Sequence, residues 1–332
     1  MLKRNILVTG GAGFIGSHLV DALFNAGNYE LYCIDNFDPF YATSIKKQNL
    51  ENVTGKPGFH LFQLDLAMTS PEELLKIFNS VSFDAIIHLA ARAGVRPSIE
   101  QAKAYYDTNV MGTLSLLEFA RHANIPRFIF ASSSSIYGNN PNVPWKETDL
   151  LHQPVSPYAA TKLAAEELGT VYSRLYGLQF ITLRLFTVYG PRQRPDLAIH
   201  QFYNLIHEQR PITLFGDGHT LRDYTFVSDI VAGIIAALNH KETDSIIFNL
   251  GDSRQISLLQ LVQTLEHCMR RKAIIRWGNE QPGDVLQTFA DISRAKAMLN
   301  YHPVIMLEEG IQRFVEWKEK QEMYRVAAEK IH

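Results

Sequence analysis

Cysteine is nearly missing. Cys33 and Cys268 are the only two in 332 residues, far apart and in no Cys-x-x-Cys or metal-ligand spacing. That excludes a disulfide framework and a thiolate zinc site. An excess of one charge is missing as well. With 32 Lys+Arg against 34 Asp+Glu the formal net charge is −2, so no broad field attracts a nucleic-acid backbone or an anionic membrane. Long apolar runs are absent. The longest, Ile230–Leu238, is well short of the ~20 residues that span a bilayer. The run Ile6–Val8 follows two basic residues but stops at Thr9-Gly10-Gly11, too early for the ~7–15-residue apolar core of a signal peptide. There is no internal repeat and no linker-like pool of Pro and Gly. The expectation is a soluble chain suited to a reducing cytoplasm.

The chain is 46% hydrophobic and 20% charged, ordinary globular values, and is long enough for a substantial core. Over the first 190 residues, short runs rich in Ile, Val and Phe alternate with longer helical patterns, the rhythm of an α/β parallel sheet wrapped by crossover helices. Strands are predicted at Asn5–Thr9, Glu30–Asp35, Phe59–Gln63, Ala85–Leu89, Arg127–Ser132 and Gln179–Leu185. Helices are predicted at Ile15–Asn25, Pro71–Ser80, Tyr105–Ala123 and Pro157–Leu175. In the last of these, Leu163, Leu168, Val171 and Leu175 form a stripe that reads as core packing. After Gly190 the pattern is irregular, with an amphipathic end at Leu307–Trp317, which suggests a smaller lobe packed on the sheet.

Gly11-x-Gly13-x-x-Gly16 follows the first strand and opens the first helix. Such glycines allow a tight turn, close approach of a pyrophosphate and close helix-to-strand packing, with the anion on the helix N-terminus. Asp35 ends the second strand near the ~20-residue offset at which an acid accepts from ribose hydroxyls, and it repels a 2′-phosphate. NAD is therefore favoured over NADP. Asp65-Leu66, after the third strand, reads equally as an adenine contact and as a plain loop.

Tyr158 and Lys162, at i and i+4, share a helix face. A phenol of pKa ~10 is a poor base at neutral pH, and a lysine cation with an oxidised nicotinamide beside it favours the phenolate. The cluster Ser132-Ser133-Ser134-Ser135 sits at the carboxyl end of the fifth strand, the edge at which open parallel sheets bind ligands. A serine there can share the hydrogen bond of a substrate hydroxyl while the tyrosine removes its proton. The twelve histidines form no metal-like cluster, and His88, inside an apolar strand, reads as a hydrogen-bonded core residue.

With these residues in place the chain resembles the extended short-chain dehydrogenase/reductases of the nucleotide-sugar epimerase/dehydratase family. The likeness runs through TGGAGFIG, HLAARAGVRPS, ASSSSIYG, SPYAATK, LRLFTVYGPRQRPD, GDGHTLRDYTFVSDI and QPGDV. It implies a Rossmann-type doubly wound parallel sheet over residues 1–185, with segments near 225–250 returning to it. Residues 186–332 would form mainly a smaller α/β lobe for the UDP-sugar. It also implies a homodimer joined through a four-helix bundle. By similarity Ser133, Tyr158 and Lys162 match the catalytic triad. The NAD set is Gly10, Gly13, Phe14, Ile15, Gly16, Asp35, Asn36, Asp65 and Leu66, together with Tyr158 and Lys162.

Members of the family share oxidation of the sugar C4 hydroxyl and diverge afterwards. Ser134 and Ser135 stand where 4,6-dehydratases carry an Asp-Glu pair, and Ser135 where UDP-glucuronate decarboxylases carry Glu. Without those groups, epimerisation at C4 remains. AGVRPS, the four serines and TVYGPxxRPD most resemble UDP-glucuronate 4-epimerases, in which NAD is regenerated each cycle. A 4-keto uronate is a β-keto acid that loses CO2 unless its carboxylate is held out of alignment with the ketone; Ser134, Ser135, Thr187 and Arg194 are the candidates to hold it. Arg194 reads equally as a solvated loop residue or a diphosphate contact. The likeness further places Arg222 on the diphosphate, Asp284 on the uridine ribose, and Leu214-Phe215 around uracil. Two departures stand out: the chain reads Pro191-Arg192-Gln193-Arg194 where many glucuronate epimerases have an aromatic residue and a glycine, and Gln281 replaces a frequent arginine. A UDP-glucose/UDP-galactose or N-acetylhexosamine epimerase stays open, as do a non-catalytic NAD-binding protein and a reductase that releases its cofactor.

Overall fold

The computed structural model describes residues 3–150, 154–241, 245–279 and 285–329. The apolar runs become six strands: β1 (Arg4–Thr9), β2 (Tyr29–Asp35), β3 (Phe59–Gln63), β4 (Ala85–His88), β5 (Arg127–Ser133) and β6 (Gln179–Leu185). Further strands follow at β7 (Thr187–Tyr189), β8 (Ile212–Phe215), β9 (Leu221–Phe226), β10 (Ile246–Leu250), β11 (Gln255–Ser257) and β12 (Ile275–Gly278). Seven of them form one sheet in the order β10-β6-β5-β4-β1-β2-β3, with every pair parallel. The order reverses between β1 and β4, and in an open α/β sheet the ligand crevice lies at that switch point, outside the carboxyl ends of the strands.

Alternation along the strands builds two cores, because successive side chains point to opposite faces. Ile6, Val8, Cys33, Ile87 and Ile129 face the helices Phe14–Ala26 and Val227–Leu238. Leu7, Ile34, Ile86, Phe128 and Phe180 face Pro71–Ile77, Gly112–His122 and Pro157–Tyr176. Beyond β6, a three-stranded sheet β11-β9-β7 and a two-stranded sheet β12-β8 pack with the helices Ala198–His207, Leu258–Met269 and Leu307–Glu329. Ile311, Phe314 and Val315 of the last helix join the first core.

Two helix expectations are modified. Tyr105–Ala123 is helical but not regular: Ala102–Tyr106 runs on through a π turn over Asp107–Met111 into Gly112–His122. The wide turn turns Asn109 inward, where its side chain bonds both the N–H and the C=O of Arg92, at 2.8 and 3.0 Å, and Thr161 Oγ1 at 3.0 Å. The stripe Leu163, Leu168, Val171, Leu175 is core-facing only in its first half, where Leu163 and Leu168 pack partly buried against the two cores. Val171 and Leu175 are exposed, and the buried positions are Lys162, Ala165, Glu166, Gly169 and Tyr172. The reason is steric, since a Cβ on Gly169 would lie 2.0 Å from Phe180 Cζ. Small residues therefore bring this helix down onto the sheet and leave Val171 and Leu175 outside.

In Gly169→Ala the gain in helix propensity, ~1 kcal/mol, is outweighed by the clash with a fully buried ring, ~1–3 kcal/mol. We expect a lower unfolding midpoint in denaturant; an unchanged or raised midpoint would contradict this packing.

Candidate active site

The end of β1 builds an anion cradle. Gly10 has φ 71° and its N–H donates to Ile34 O at 2.7 Å, while Gly13 N–H donates to Gly10 O at 3.1 Å. A Cβ on Gly10 would meet Ala90 N at 2.7 Å, and one on Gly16 would meet Gly10 O at 2.1 Å. The tight turn is thus made at Gly10, not at Gly11 as the Gly11-x-Gly13-x-x-Gly16 reading has it. A Cβ on Gly11 would instead strike Cys33 Sγ at 2.3 Å, which makes it a packing glycine on the side of β2. Helix Phe14–Ala26 starts at Gly13 without a side-chain cap, leaving its first N–H groups for a ligand.

Asp35 lies 6% exposed beside this cradle. It accepts from Ala12 N–H at 3.0 Å and Phe37 N–H at 2.8 Å, with Lys46 Nζ 4.0 Å away. Burial raises its carboxyl pKa, and Lys46 and the two N–H groups oppose that. Asn36 Nδ2 donates to Asp65 Oδ2 at 3.1 Å. Gly10, Gly13, Phe14, Ile15, Gly16, Asp35, Asn36, Asp65 and Leu66 all line one cleft of about 660 Å³. A backbone cradle with no room for side chains, next to an acid with lone pairs to spare, fits a dinucleotide.

The other end of the same cleft is lined by Ser133, Ser134, Ser135, Tyr158, Lys162, Thr187, Arg194 and Arg222. Ser156 caps the helix of Tyr158 by accepting from Ala159 N–H at 3.2 Å, and Pro157 occupies its first turn. Lys162 Nζ donates to Ala131 O at 2.8 Å and stands 4.8 Å over the Phe130 ring. Burial drives its ammonium down to about 7, and Glu166 pulls the other way. Tyr158 is pushed up by burial; the groups that lower it are Ser133, through a hydrogen bond, and the Arg194 guanidinium. Arg194 thus adds a cation that favours the phenolate, one that the spacing of Tyr158 and Lys162 did not announce. Ser135 Oγ is buried without a hydrogen-bond partner among the described residues. Arg194 grips Asp196 through Nε at 3.0 Å and Nη2 at 2.7 Å, and Nη2 also reaches Ala93 O at 3.3 Å.

Other positions lie elsewhere. Leu214 is wholly buried in the core and Phe215 stacks under Arg96 at 5.0 Å; neither lines the cleft. Arg222 Nη1 donates to Leu221 O at 2.9 Å. Asp284 and Gln281 fall outside the described residues. His88 is buried between Thr9 Oγ1 at 2.7 Å and Thr113 Oγ1 at 3.0 Å, and burial draws it to about 3, a neutral core imidazole. Glu166, Asn109, Lys46 and Gln193 were missed. Only Glu166 carried a signal: a charge four residues beyond Lys162, on the same face.

The sheet order, the cradle at its switch point and Ser133, Tyr158 and Lys162 at its carboxyl edge define a dinucleotide-binding α/β fold of the short-chain dehydrogenase/reductase type. Residues 6–251 match the model of the NAD dependent epimerase/dehydratase family, and the chain belongs to that family. It is similar to the UDP-glucuronate 4-epimerase of Thermodesulfobacterium geofontis, 42% identical over 316 residues, 95% of this chain and 96% of that one. Among solved structures it is similar to the UDP-glucuronic acid 4-epimerase of Bacillus cereus in complex with UDP-glucuronic acid and NAD. The TM-score is 0.89 at 36% identity, covering 96% of this chain and 100% of that one. The UDP-glucose 4-epimerase of Thermotoga maritima with UDP-glucose gives a TM-score of 0.87 at 32% identity, covering 96% and 99%.

Lys162 also predicts a pH effect. Its folded pKa lies below its unfolded one, so between about 7 and ~10.4 the unfolded chain binds more protons, and stability rises with pH. Relative to Lys162→Met, the ligand-free protein should gain up to ~1.4 kcal/mol per pH unit across that window. Parallel stability curves for the two proteins would refute it.

Proposed function

We propose that the protein interconverts UDP-glucuronate and UDP-galacturonate by NAD-dependent epimerisation at sugar C4. One observation carries this: a single cleft has the dinucleotide cradle and Asp35 at one end, and Ser133, Tyr158 and Arg194 at the other. The similarity to an enzyme solved with UDP-glucuronic acid and NAD supports it. Residues 1–185 with the returning strand β10 hold the cofactor, and residues 186–332 mainly hold the sugar nucleotide. When bound, NAD supplies a hydride acceptor and donor at C4.

Tyr158 takes the proton of the sugar O4 and returns it, with Ser133, already bonded to the phenol, sharing the hydrogen bond. Arg194 favours the phenolate by its charge. Ser135, whose buried Oγ has no hydrogen-bond partner among the described residues, joins Ser134 and Thr187 in holding the C6 carboxylate so that the 4-keto sugar keeps its CO2. Arg222 meets the diphosphate. A neutral UDP-hexose is the second reading, favoured by the pairing of Arg194 with Asp196, which already satisfies one edge of the guanidinium.

The exposed apolar residues Ile99, Tyr106, Met111, Val171 and Leu175 lie on helices of one face of the sheet. They support a homodimer through a four-helix bundle; a one-chain mass in sedimentation would overturn it. Among the described residues no helix is long and apolar enough to cross a membrane, and the thiols of Cys33 and Cys268 are free. Both features support a cytoplasmic place, which recovery in an exported fraction would refute.

Incubation with UDP-glucuronate should give UDP-galacturonate without net consumption of added NAD. Tyr158→Phe should lower turnover by ~10²–10⁴-fold and keep NAD bound. UDP-pentose with CO2, or no product, would sink the proposal, and strong preference for UDP-glucose would select the second reading.

A further inference from the structure

Residues 190–197 cross from β7 to the helix Ala198–His207 over the mouth of the cleft, and Gln193, Arg194 and Leu197 line it. Their neighbour Arg192 turns the other way. Its φ of 62° is in the left-handed region, which a side chain with a Cβ occupies only when its surroundings hold it there. What holds it comes from the cofactor-binding half of the chain. Arg192 Nη2 donates to Asp21 Oδ2 at 2.7 Å, and both side chains are mostly shielded from solvent. One residue earlier, His18 Nε2 donates to Pro191 O at 2.9 Å. One residue later, Gln193 is 3% exposed and its O accepts from His200 Nδ1 at 2.9 Å.

His18 and Asp21 belong to helix Phe14–Ala26, whose first turn is the anion cradle. In the middle of the segment Arg194 reaches Ala93 O at 3.3 Å and lies 5.5 Å from the Phe40 ring centre. These are the loops that follow β4 and β2. The segment is thereby pinned to three loops or helices around the cofactor end, while its inward residues line the same cleft as Tyr158. Gln193 Oε1 and Arg192 Nη1 are both buried without partners among the described residues. Beyond its two internal backbone bonds, from Gln193 N–H to Gly190 O and from Leu197 N–H to Arg194 O at 3.2 Å each, the segment is therefore held by these anchors, and the Gln193 side chain adds none.

We propose that the Asp21–Arg192 ion pair is a latch: neither residue lines the cleft, yet together they hold residues 190–197 shut over bound NAD and position Arg194 at Tyr158. The inference rests on the reading of the cleft as an NAD and UDP-sugar site. Asp21 and Arg192 are positioning residues, which act through Arg194 and through closure of the segment. Opening the latch lets the segment lift, so the cofactor leaves sooner and the phenol loses its cation, while groups that meet the sugar nucleotide elsewhere, such as Arg222, are untouched.

The test uses the NAD-loaded protein and its Asp21→Asn, Arg192→Gln, doubly substituted and charge-exchanged (Asp21→Arg with Arg192→Asp) forms. NAD release is followed after dilution, and kcat and KM are measured with UDP-glucuronate at saturating NAD. Each single substitution should hasten NAD release by about fivefold to tenfold and lower kcat more than it raises KM. The double substitution should do no more than either single one, because both remove the same contact. The exchanged pair should recover most of both losses, and this arm decides the matter if a single variant is poorly folded by thermal melting. Unchanged release and kcat, effects that multiply in the double variant, or no recovery on exchange would overturn the latch. If the wild type turns over UDP-glucuronate and the variants match it, the latch alone fails. If no UDP-sugar is turned over but release still quickens, the latch stands and the substrate reading fails.

Discussion

The buried ion pair of Glu166 and Arg184 is the contact on which the catalytic geometry hangs. Arg184 Nη2 lies 2.8 Å from Glu166 Oε2, with both side chains almost wholly shielded, and Ser132 Oγ donates to the same carboxylate. A carboxylate this deep is tolerated only when paired and hydrogen-bonded. Glu166 lies one turn beyond Lys162, which bonds Ala131 O. The helix and β5 are thus tied at two successive residues, and Ser133 is the next. Arg184 continues the network to Tyr137 OH at 3.0 Å, and Tyr137 OH to Asn249 Oδ1 of β10 at 2.7 Å. The strand that returns late in the chain is thereby joined to the catalytic edge. Removing one partner would strand a buried charge at a cost of ~3–5 kcal/mol.

A near-neutral chain can bind anionic ligands because its charges are placed rather than pooled. Strand β9 carries Arg222 toward the cleft and Asp223 away from it. Asp223 accepts from the N–H groups of Asp252 at 2.7 Å, Ser253 at 3.0 Å and Ala290 at 3.1 Å, and burial pushes it up to about 6. That one carboxyl gathers two loops of the smaller lobe around the strand that presents Arg222. At the other end Asp35 is oriented in the same way, by two backbone N–H groups and a distant ammonium.

The strands were legible because continuous apolar runs bounded by Gly, Asn and Asp leave little else for a doubly buried parallel sheet to be. The cleft residues near the carboxyl edge were legible for a related reason: they cluster at strand ends within short segments. The stripe on the Pro157–Tyr176 helix misled because apolar periodicity marks a face without saying which partner covers it, and Phe180 takes the space beside Gly169. The π turn around Asn109 had no signature, since a single inserted residue leaves composition and spacing helical. Gly10 and Gly11 exchanged roles for a similar reason: adjacent glycines look alike until Cys33 and Ala90 are placed against them.

By itself the sequence determined where strands β1–β6 and the glycine turn lie, and it led to the expectation of NAD through Asp35 and of Ser133, Tyr158 and Lys162 as the proton-transfer group, because each is read from neighbours within about thirty residues and from motifs shared with the family. Only the tertiary structure decided that the Arg194 guanidinium acts on Tyr158, and that Lys162 sits where burial draws its ammonium to about 7. It also decided that a segment beginning at Gly190 is fastened to Asp21. These are contacts across 31 to 171 positions of chain. Desolvation and ion pairing depend on distance in space, and no local pattern records it.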